Sequence, residues 1–404
     1  MRDAASSSWG LAQGCAPNET FVLGDYELRF DVSAIKGVRP NMEDRWNVAV
    51  RPDGAAAVLA VYDGHGGERV SHYLMSSLSA HVLADEHLET DPEGALRRAC
   101  ASCDERSVLD SPGVNPRAPP GFGRPRGPGA GSTAVIALLL PPRMFVANVG
   151  DSRAIAADAA GEIFFQSVDQ RPSLPEERAR VLELGGTVRV VAGVARAAGV
   201  LAVSRAFGNA GLKQFIRADP EVTEVDLSRL DTCILCSDGL TDVVDAAKAM
   251  ETARGDAARR GTPSPSSRRR GGGDRRASVA SEDSTMEPNA NANASASASA
   301  NASANAWGGK RRVANALTSL AKMRQSMDNI CVLTFRARRV GADASASAAA
   351  SLVAVAESAE VKVRARRASA GGDGSDLPRD AKRTKVAADD AENDAPGDGP
   401  RVAA

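Results

Sequence analysis

Aromatic side chains are scarce. Phe, Trp and Tyr together make up 4% of the 404 residues, so any core must be built from Ala, Val, Leu and Ile. An excess of one charge is missing too: 50 Lys plus Arg stand against 51 Asp plus Glu, a net charge of -1. That balance argues against a chain-wide field for nucleic acid or a membrane surface. No apolar run reaches the ~20 residues that a membrane-spanning helix needs. AVIALLL at 134–140 is far too short. The stretch MRDAASSSWGLAQGCAPNE has no apolar signal core and carries acids, which reads against a targeting peptide. Hydrophobic residues at 43% still suffice for one sizeable core.

Cysteines are few: Cys15, Cys100, Cys103, Cys233, Cys236 and Cys331. Two pairs have CxxC spacing, which on paper suggests zinc. Cys233 and Cys236 lie in a strand-like run, where an odd spacing sends them to opposite faces. Cys100 and Cys103 lie in a helical stretch without turn chemistry. All six read as free thiols in a reducing compartment, the cytoplasm and/or the nucleus. The basic clusters RARR (364–367) and AKRTK (381–385) fit a nuclear import signal.

Composition shifts sharply twice. Residues 252–308 run through SPSSRRRGGGDRRAS into an Asn/Ala/Ser repeat, and 339–404 are rich in Ala, Ser, Asp and Arg. Neither stretch buries enough apolar surface to fold, so both are expected to be disordered. Residues 1–20 are expected to be flexible. Between the biased stretches, RRVANALTSLAKM has helical spacing and NICVLTF reads as a strand. The biased block is therefore expected to be an insertion inside one domain, 21–338. Ser278 and Ser369 follow arginines there and are candidate phosphoacceptors.

Expected strands are YELRFDVSAIK, RWNVAVRP, AAAVLAVYD, STAVIALLL, RMFVANVG, SRAIAAD, EVTEVD and TCILCSD. Expected helices are GERVSHYLMSSLSAHVLAD, EGALRRACASCDERSVL and PEERARVLELGG. Strands joined by tight turns, with helices grouped elsewhere, imply an α+β fold of antiparallel sheets covered by helices.

The stretch VYDGHGGERV (61–70) puts one carboxylate, one imidazole and three glycines at a strand tip. A plain turn needs fewer glycines. Other acids share the setting: Glu43 and Asp44 in GVRPNMEDRW, Asp151 after FVANVG, Asp238 after CILCS, Asp328 before NICVLTF. One such acid is usually a turn cap. If all these strand ends converge, the acids repel unless a cation neutralises them. All-oxygen ligation suits Mg²⁺ or Mn²⁺ rather than Zn²⁺.

GVRPNMED, VYDGHGG, GAGSTAVIALL, VANVGDSRAI, RPSLPEERARVLELGG, VLAVSRAFG, CSDGLTDV and MDNICVL occur in this order. Together they resemble the protein phosphatase 2C family of metal-dependent Ser/Thr phosphatases, over about 25–335. The resemblance implies a four-layer αββα sandwich with the active site at one end. It implies hydrolysis of phosphoserine and phosphothreonine in proteins by a water activated between two Mg²⁺ or Mn²⁺ ions. It also implies that Asp63 bridges the ions, with the Gly64 carbonyl as a further ligand. Glu43 would help hold one ion, Asp238 and Asp328 the other, with Asp44 supporting them. Asp151 matches the family acid at a weaker third position. Arg39 would bind phosphate through its planar fork, and His65 would protonate the leaving oxygen. Partners are then phosphorylated proteins, not nucleic acid or membrane, and the chain is expected to be a monomer.

The family pattern often has His and Lys where Gln170 and Arg171 stand, Trp at Thr241 and Asp at Asn209. These departures are expected to affect the substrate flap, about 187–200. Cys100–Arg106 formally fits the C-x5-R pattern of thiol phosphatases, but Asp104 and Glu105 inside it would repel phosphate. Two rival functions remain: a pseudophosphatase that binds phosphoproteins without turnover, and a two-metal phosphodiesterase or nuclease. The full acid set weighs against the first, the balanced charge against the second.

Overall fold

Apolar runs such as AVIALLL and alternating runs such as YELRF form the strands of the fold. The computed structural model describes residues 20–112, 114, 127–261 and 312–340, apart from the side chains of 255–261. The described part opens with β1 (Thr20–Leu23), β2 (Tyr26–Ile35), β3 (Arg45–Val50), β4 (Ala57–Tyr62) and the short β5 (Gly64–His65). Helices α1 (Arg69–Leu83) and α2 (Pro92–Leu109) follow. Then come β6 (Gly131–Ser132), β7 (Ala134–Leu140), β8 (Arg143–Val149), β9 (Arg153–Ala157), β10 (Ile163–Gln166) and α3 (Pro175–Glu183). A hairpin of β11 (Val188–Val191) and β12 (Val194–Ala197) precedes β13 (Phe207–Gly208) and β14 (Glu221–Asp226). Last are β15 (Thr232–Cys236), α4 (Asp238–Thr241), α5 (Ala246–Gly261), α6 (Val313–Met323) and β16 (Ile330–Arg339).

One sheet has six strands in the order β1-β2-β16-β15-β9-β10, the other five in the order β14-β8-β7-β4-β3. Every pairing within them is antiparallel. Period-2 alternation gives each sheet an inner and an outer face. The inner faces meet in one cluster, with Leu28, Phe30, Leu333 and Phe335 opposite Leu59, Val61, Val135 and Val146. The outer face of the five-stranded sheet is covered by Val70, Leu74, Leu78 and Val82 of α1 and Leu96, Ala99 and Cys100 of α2. The outer face of the six-stranded sheet is covered by Ala249 and Met250 of α5 and Leu317 and Ala321 of α6. These are the four layers of an αββα sandwich, the expected α+β fold.

Small residues fill the space that aromatics would otherwise take. Ala57, Ala137, Ala154 and Ala156 all face the inter-sheet core. Each fully buried Leu or Phe contributes ~1.5–3 kcal/mol, so many aliphatic side chains replace a few large rings. Helix α2 starts where the sequence dictates: Pro92 sits in its first turn, and the Asp91 side chain accepts from the Gly94 amide at 3.0 Å.

Cys233 belongs to the inter-sheet core and Cys236 to the outer cluster, so the strand does send them to opposite faces. Five cysteines are described, all buried and unpaired; Cys15 lies outside the described residues. Burial pushes the Cys103 thiol up to about 12 and Cys100 in the same direction, which leaves no thiolate for the C-x5-R reading. Helix α5 runs to Gly261, past residue 252, where the composition shifts. The rest of the expected insertion, the terminal segments 1–19 and 341–404, and Ser278 and Ser369 lie outside the described residues. Among the described residues no helix is long and apolar enough to cross a membrane.

Candidate active site

Strand ends build the site. Asp63 follows β4, Asp151 follows β8, Asp238 follows β15, and Asp328 precedes β16. The β2–β3 connection supplies Arg39 and Glu43. All of these, with Gly64 and His65, line one cleft of about 820 Å³. Within it, one carboxylate oxygen each from Asp63, Asp151 and Asp238 lie within 4.8 Å of one another.

Three two-residue strands hold the DGHGG segment. Gly64 pairs with Ser132 and His65 with Gly131, while Phe207 and Gly208 pair from the other side of β6. The Thr133 amide donates to the Asp63 carbonyl at 2.9 Å. Gly64 is required by a close approach: a Cβ there would run into the Glu43 carbonyl and the Ser71 hydroxyl. Gly67 has a φ of 118, and its amide donates to Glu43 Oε2 at 3.1 Å.

Asn329 fixes the loop that carries Arg39 and Glu43. Its Nδ2 donates to the carbonyls of Lys36 and Asn41, and its Oδ1 accepts from the Glu43 amide at 2.7 Å. Arg39 Nη2 reaches Asp328 at 2.6 Å and its Nε donates to the Met327 carbonyl. Asp44 stands apart from the other expected residues. It is 3% exposed, does not line the cleft, and accepts from the Ser237 hydroxyl at 2.8 Å. Its place is behind the cleft, bracing the segment that carries Asp238.

Electrostatics set this cluster apart. Burial, then the neighbouring charges of Asp238, Asp44, Asp151 and Asp328, hold the Asp63 carboxyl well above its ordinary range. Burial and the charges of Asp151, Asp242 and Asp328 do the same to Asp238, against a hydrogen bond from Asp63. Asp151 is pushed up to about 6, mainly by burial, with Arg171 opposing the shift. Asp44 rises to about 7 by burial, against its bond from Ser237 and with Asp328 adding to it. Burial lowers His65, whose Nε2 lies 3.0 Å from Asn209 Oδ1.

The residues fit a divalent metal ion. The donors are all oxygen, they repel one another without a cation, and the buried Asp151 Oδ1 has no hydrogen-bond partner. A family model described as Protein phosphatase 2C matches residues 28–283.

The chain belongs to the protein phosphatase 2C family. It is 34% identical over 239 residues to "Probable protein phosphatase 2C 11" of Arabidopsis thaliana, an alignment covering 58% of this chain and 61% of that relative. It is 39% identical over 232 residues to "Probable protein phosphatase 2C 45" of Oryza sativa subsp. japonica, covering 56% and 77%. It therefore spans about three fifths of the length of the first relative. Among solved structures, serine-threonine phosphatase 2C from Toxoplasma gondii superposes with a TM-score of 0.54 at 20% identity, over 80% of this chain and 100% of that one. At that identity the likeness is one of fold.

Several residues of this phosphatase 2C site do not stand out in the sequence. Asp242 lines the cleft, one helical turn after Asp238; the i, i+4 spacing in DGLTD is the signal that points to it. Three departures expected to affect the flap lie at the site instead. Asn209 is the partner of His65. Gln170 Oε1 accepts from the Gly150 amide at 2.8 Å, holding the turn before Asp151. Arg171 pairs with Asp151 and Asp242. Hairpin β11–β12 closes one wall of the cleft with Gly193, Val194 and Arg196.

Proposed function

We propose that this chain is a metal-dependent phosphatase acting on phosphoserine and phosphothreonine in proteins. The meeting of Asp63, Asp151 and Asp238 within 4.8 Å carries the reading. Family membership supports it. Mg²⁺ or Mn²⁺ ions would be held by Asp63, the Gly64 carbonyl, Asp238 and Asp328, with Glu43 nearby and a weaker position at Asp151. When bound, such ions supply an activated water and neutralise phosphate charge.

The chain's own groups do the rest. Arg39 commits two of its five N–H groups to Asp328 and Met327, leaving three for a phosphate dianion. His65 is held below its ordinary value by burial, while Glu43 and the bond with Asn209 oppose that shift. A phosphate dianion beside it favours the protonated ring, so the proton is in place when the leaving alkoxide needs it. The Asn209 contact fixes the ring's orientation. The open cleft admits a peptide, and the five buried, unpaired cysteines suit a reducing compartment such as the cytoplasm or nucleus.

The test is release of phosphate from a phosphothreonine peptide by the full chain. EDTA should abolish turnover and Mn²⁺ restore it. Binding of the phosphopeptide without turnover in Mn²⁺ would establish the pseudophosphatase instead. Faster cleavage of a phosphodiester than of the monoester would establish the nuclease.

A further inference from the structure

Arg171 joins two acids of the cleft. Its Nε lies 3.0 Å from Asp151 Oδ2 and its Nη2 lies 2.8 Å from Asp242 Oδ1. The same Nη2 is 4.0 Å from Asp238 Oδ2. The neighbouring Asp169 is 3.7 Å away, but Arg153 already holds it through two hydrogen bonds of 2.8 and 2.6 Å. The guanidinium is thus directed at the cleft acids by default.

Those acids lie next to the ones that define the metal cluster. Asp151 gives one oxygen to Arg171, while its other oxygen is buried with no hydrogen-bond partner. Asp151 also belongs to the triad with Asp63 and Asp238. Asp328, which also lines the cleft, has Arg39. Asp63 differs from both: among the described residues no arginine or lysine lies within ion-pair distance of it. The cleft therefore has a built-in cation beside Asp151 and another beside Asp328, and none among the described residues beside Asp63.

An arginine is suited to the place beside Asp151 in two ways. Its charge does not titrate, so it is always present. Its fork reaches two carboxylates at once, where a lysine ammonium acts as a single point charge. A divalent ion approaching Asp151 and Asp242 meets a fixed positive charge and two carboxylates already engaged.

Resting on the divalent-ion reading above, we propose that Arg171 is a tethered cation holding the Asp151–Asp242 end of the cleft, which an incoming ion must displace. The consequence is a graded site. The weaker position that the family resemblance implies at Asp151 is weakened further by the Arg171 guanidinium an ion there must displace. Without ions, Arg171 relieves the repulsion between Asp151 and Asp242 and so supports the empty fold.

Titrating Mn²⁺ into the full-length chain, followed by the electron paramagnetic resonance signal of free Mn²⁺, tests this. Wild type, Arg171→Gln and Arg171→Lys are compared, each also melted in EDTA and in Mn²⁺. In Arg171→Gln the weakest Mn²⁺ dissociation constant should fall about tenfold, equivalent to ~1.4 kcal/mol. That variant should melt below wild type in EDTA, and Mn²⁺ should close the gap. Arg171→Lys keeps a charge for folding but reaches only one carboxylate, so its weakest constant should fall by a smaller factor, about threefold. If Arg171→Gln does not fold, the lysine variant decides. Unchanged Mn²⁺ binding in the variants, with equal loss of melting temperature in EDTA and Mn²⁺, overturns the proposal and leaves an ordinary ion pair. A wild-type chain that binds no Mn²⁺ overturns the metal reading and this proposal with it.

Discussion

Glu177 and the cleft aspartates, of which Asp151 is buried and Asp63 and Asp238 half-buried, answer loss of solvent in opposite ways. Glu177, on α3, is 3% exposed. Arg205 donates to its Oε1 at 2.6 and 3.0 Å, and Arg180 to its Oε2 at 2.7 Å. Burial pushes its carboxyl up, but the arginine hydrogen bonds outweigh it and bring it down to about 2. Asp63, Asp151 and Asp238 meet one another instead, and all three are pushed up. Loss of solvent is common to both; the counter-charge is what differs. Glu177, whose arginine hydrogen bonds outweigh its burial, belongs to the scaffold. Acids gathered without enough positive charge are arranged for something the chain does not supply.

The largest effect expected from breaking this contrast is on turnover. Asp63→Asn should lower phosphopeptide hydrolysis in Mn²⁺ by about 10³-fold or more, the scale of removing one preorganised electrostatic element. Activity within tenfold of wild type would remove Asp63 from the centre of the chemistry. Next is the scaffold acid. Glu177→Gln should cost about 3 kcal/mol at pH 7, from the fall of Glu177 from 4.5 to about 2. Because the folded value is depressed, that stability is present above about 4.5 and is lost as pH falls toward about 2. Urea denaturation across that range checks both statements.

His65→Gln should lower the hydrolysis rate about 10²-fold, and less for a substrate with a good leaving group such as p-nitrophenyl phosphate. A like loss on both substrates would contradict the proton-donor role. The aspartate cluster has the reverse pH sign from Glu177. Asp151 is raised from 3.8 to about 6, so in EDTA its contribution is lost as pH rises through that window. The melting temperature in EDTA should therefore fall between pH 4 and 7, and saturating Mn²⁺ should flatten the fall. The smallest effect is on the hairpin wall: Val190 is 70% exposed, so Val190→Ser should change stability by less than about 0.5 kcal/mol.

Most of the sandwich is legible because its signals are local. AVIALLL and TCILC read as strands, and PEERARVLE reads as a helix starting at a proline, from neighbours within a few residues. Asp63, Asp151 and Asp238 are legible for the same reason, each sitting where an apolar run stops. Partners are harder to read. Asn209 is 144 residues from His65, and Arg171 is 71 from Asp242. No periodicity links such pairs; only the folded sheet edges bring them together. The two-residue strands β5, β6 and β13 are too short to leave a pattern, yet they hold the DGHGG segment. Asp44 shows the converse. Its place beside Glu43 suggests a ligand, but in the connection before β3 it is buried and accepts from the Ser237 hydroxyl.

Thermal melting of wild type and Asp63→Asn, each in EDTA and in saturating Mn²⁺, tests the central claim most directly. The wild-type midpoint should rise on adding Mn²⁺, as it must for a ligand that binds only the folded state. Asp63→Asn, relieved of one repelling charge, should melt at or above wild type in EDTA and gain little from Mn²⁺. A variant that melts lower in EDTA and keeps the full rise in Mn²⁺ would show that Asp63 is a structural acid and that the cluster is not built for a metal.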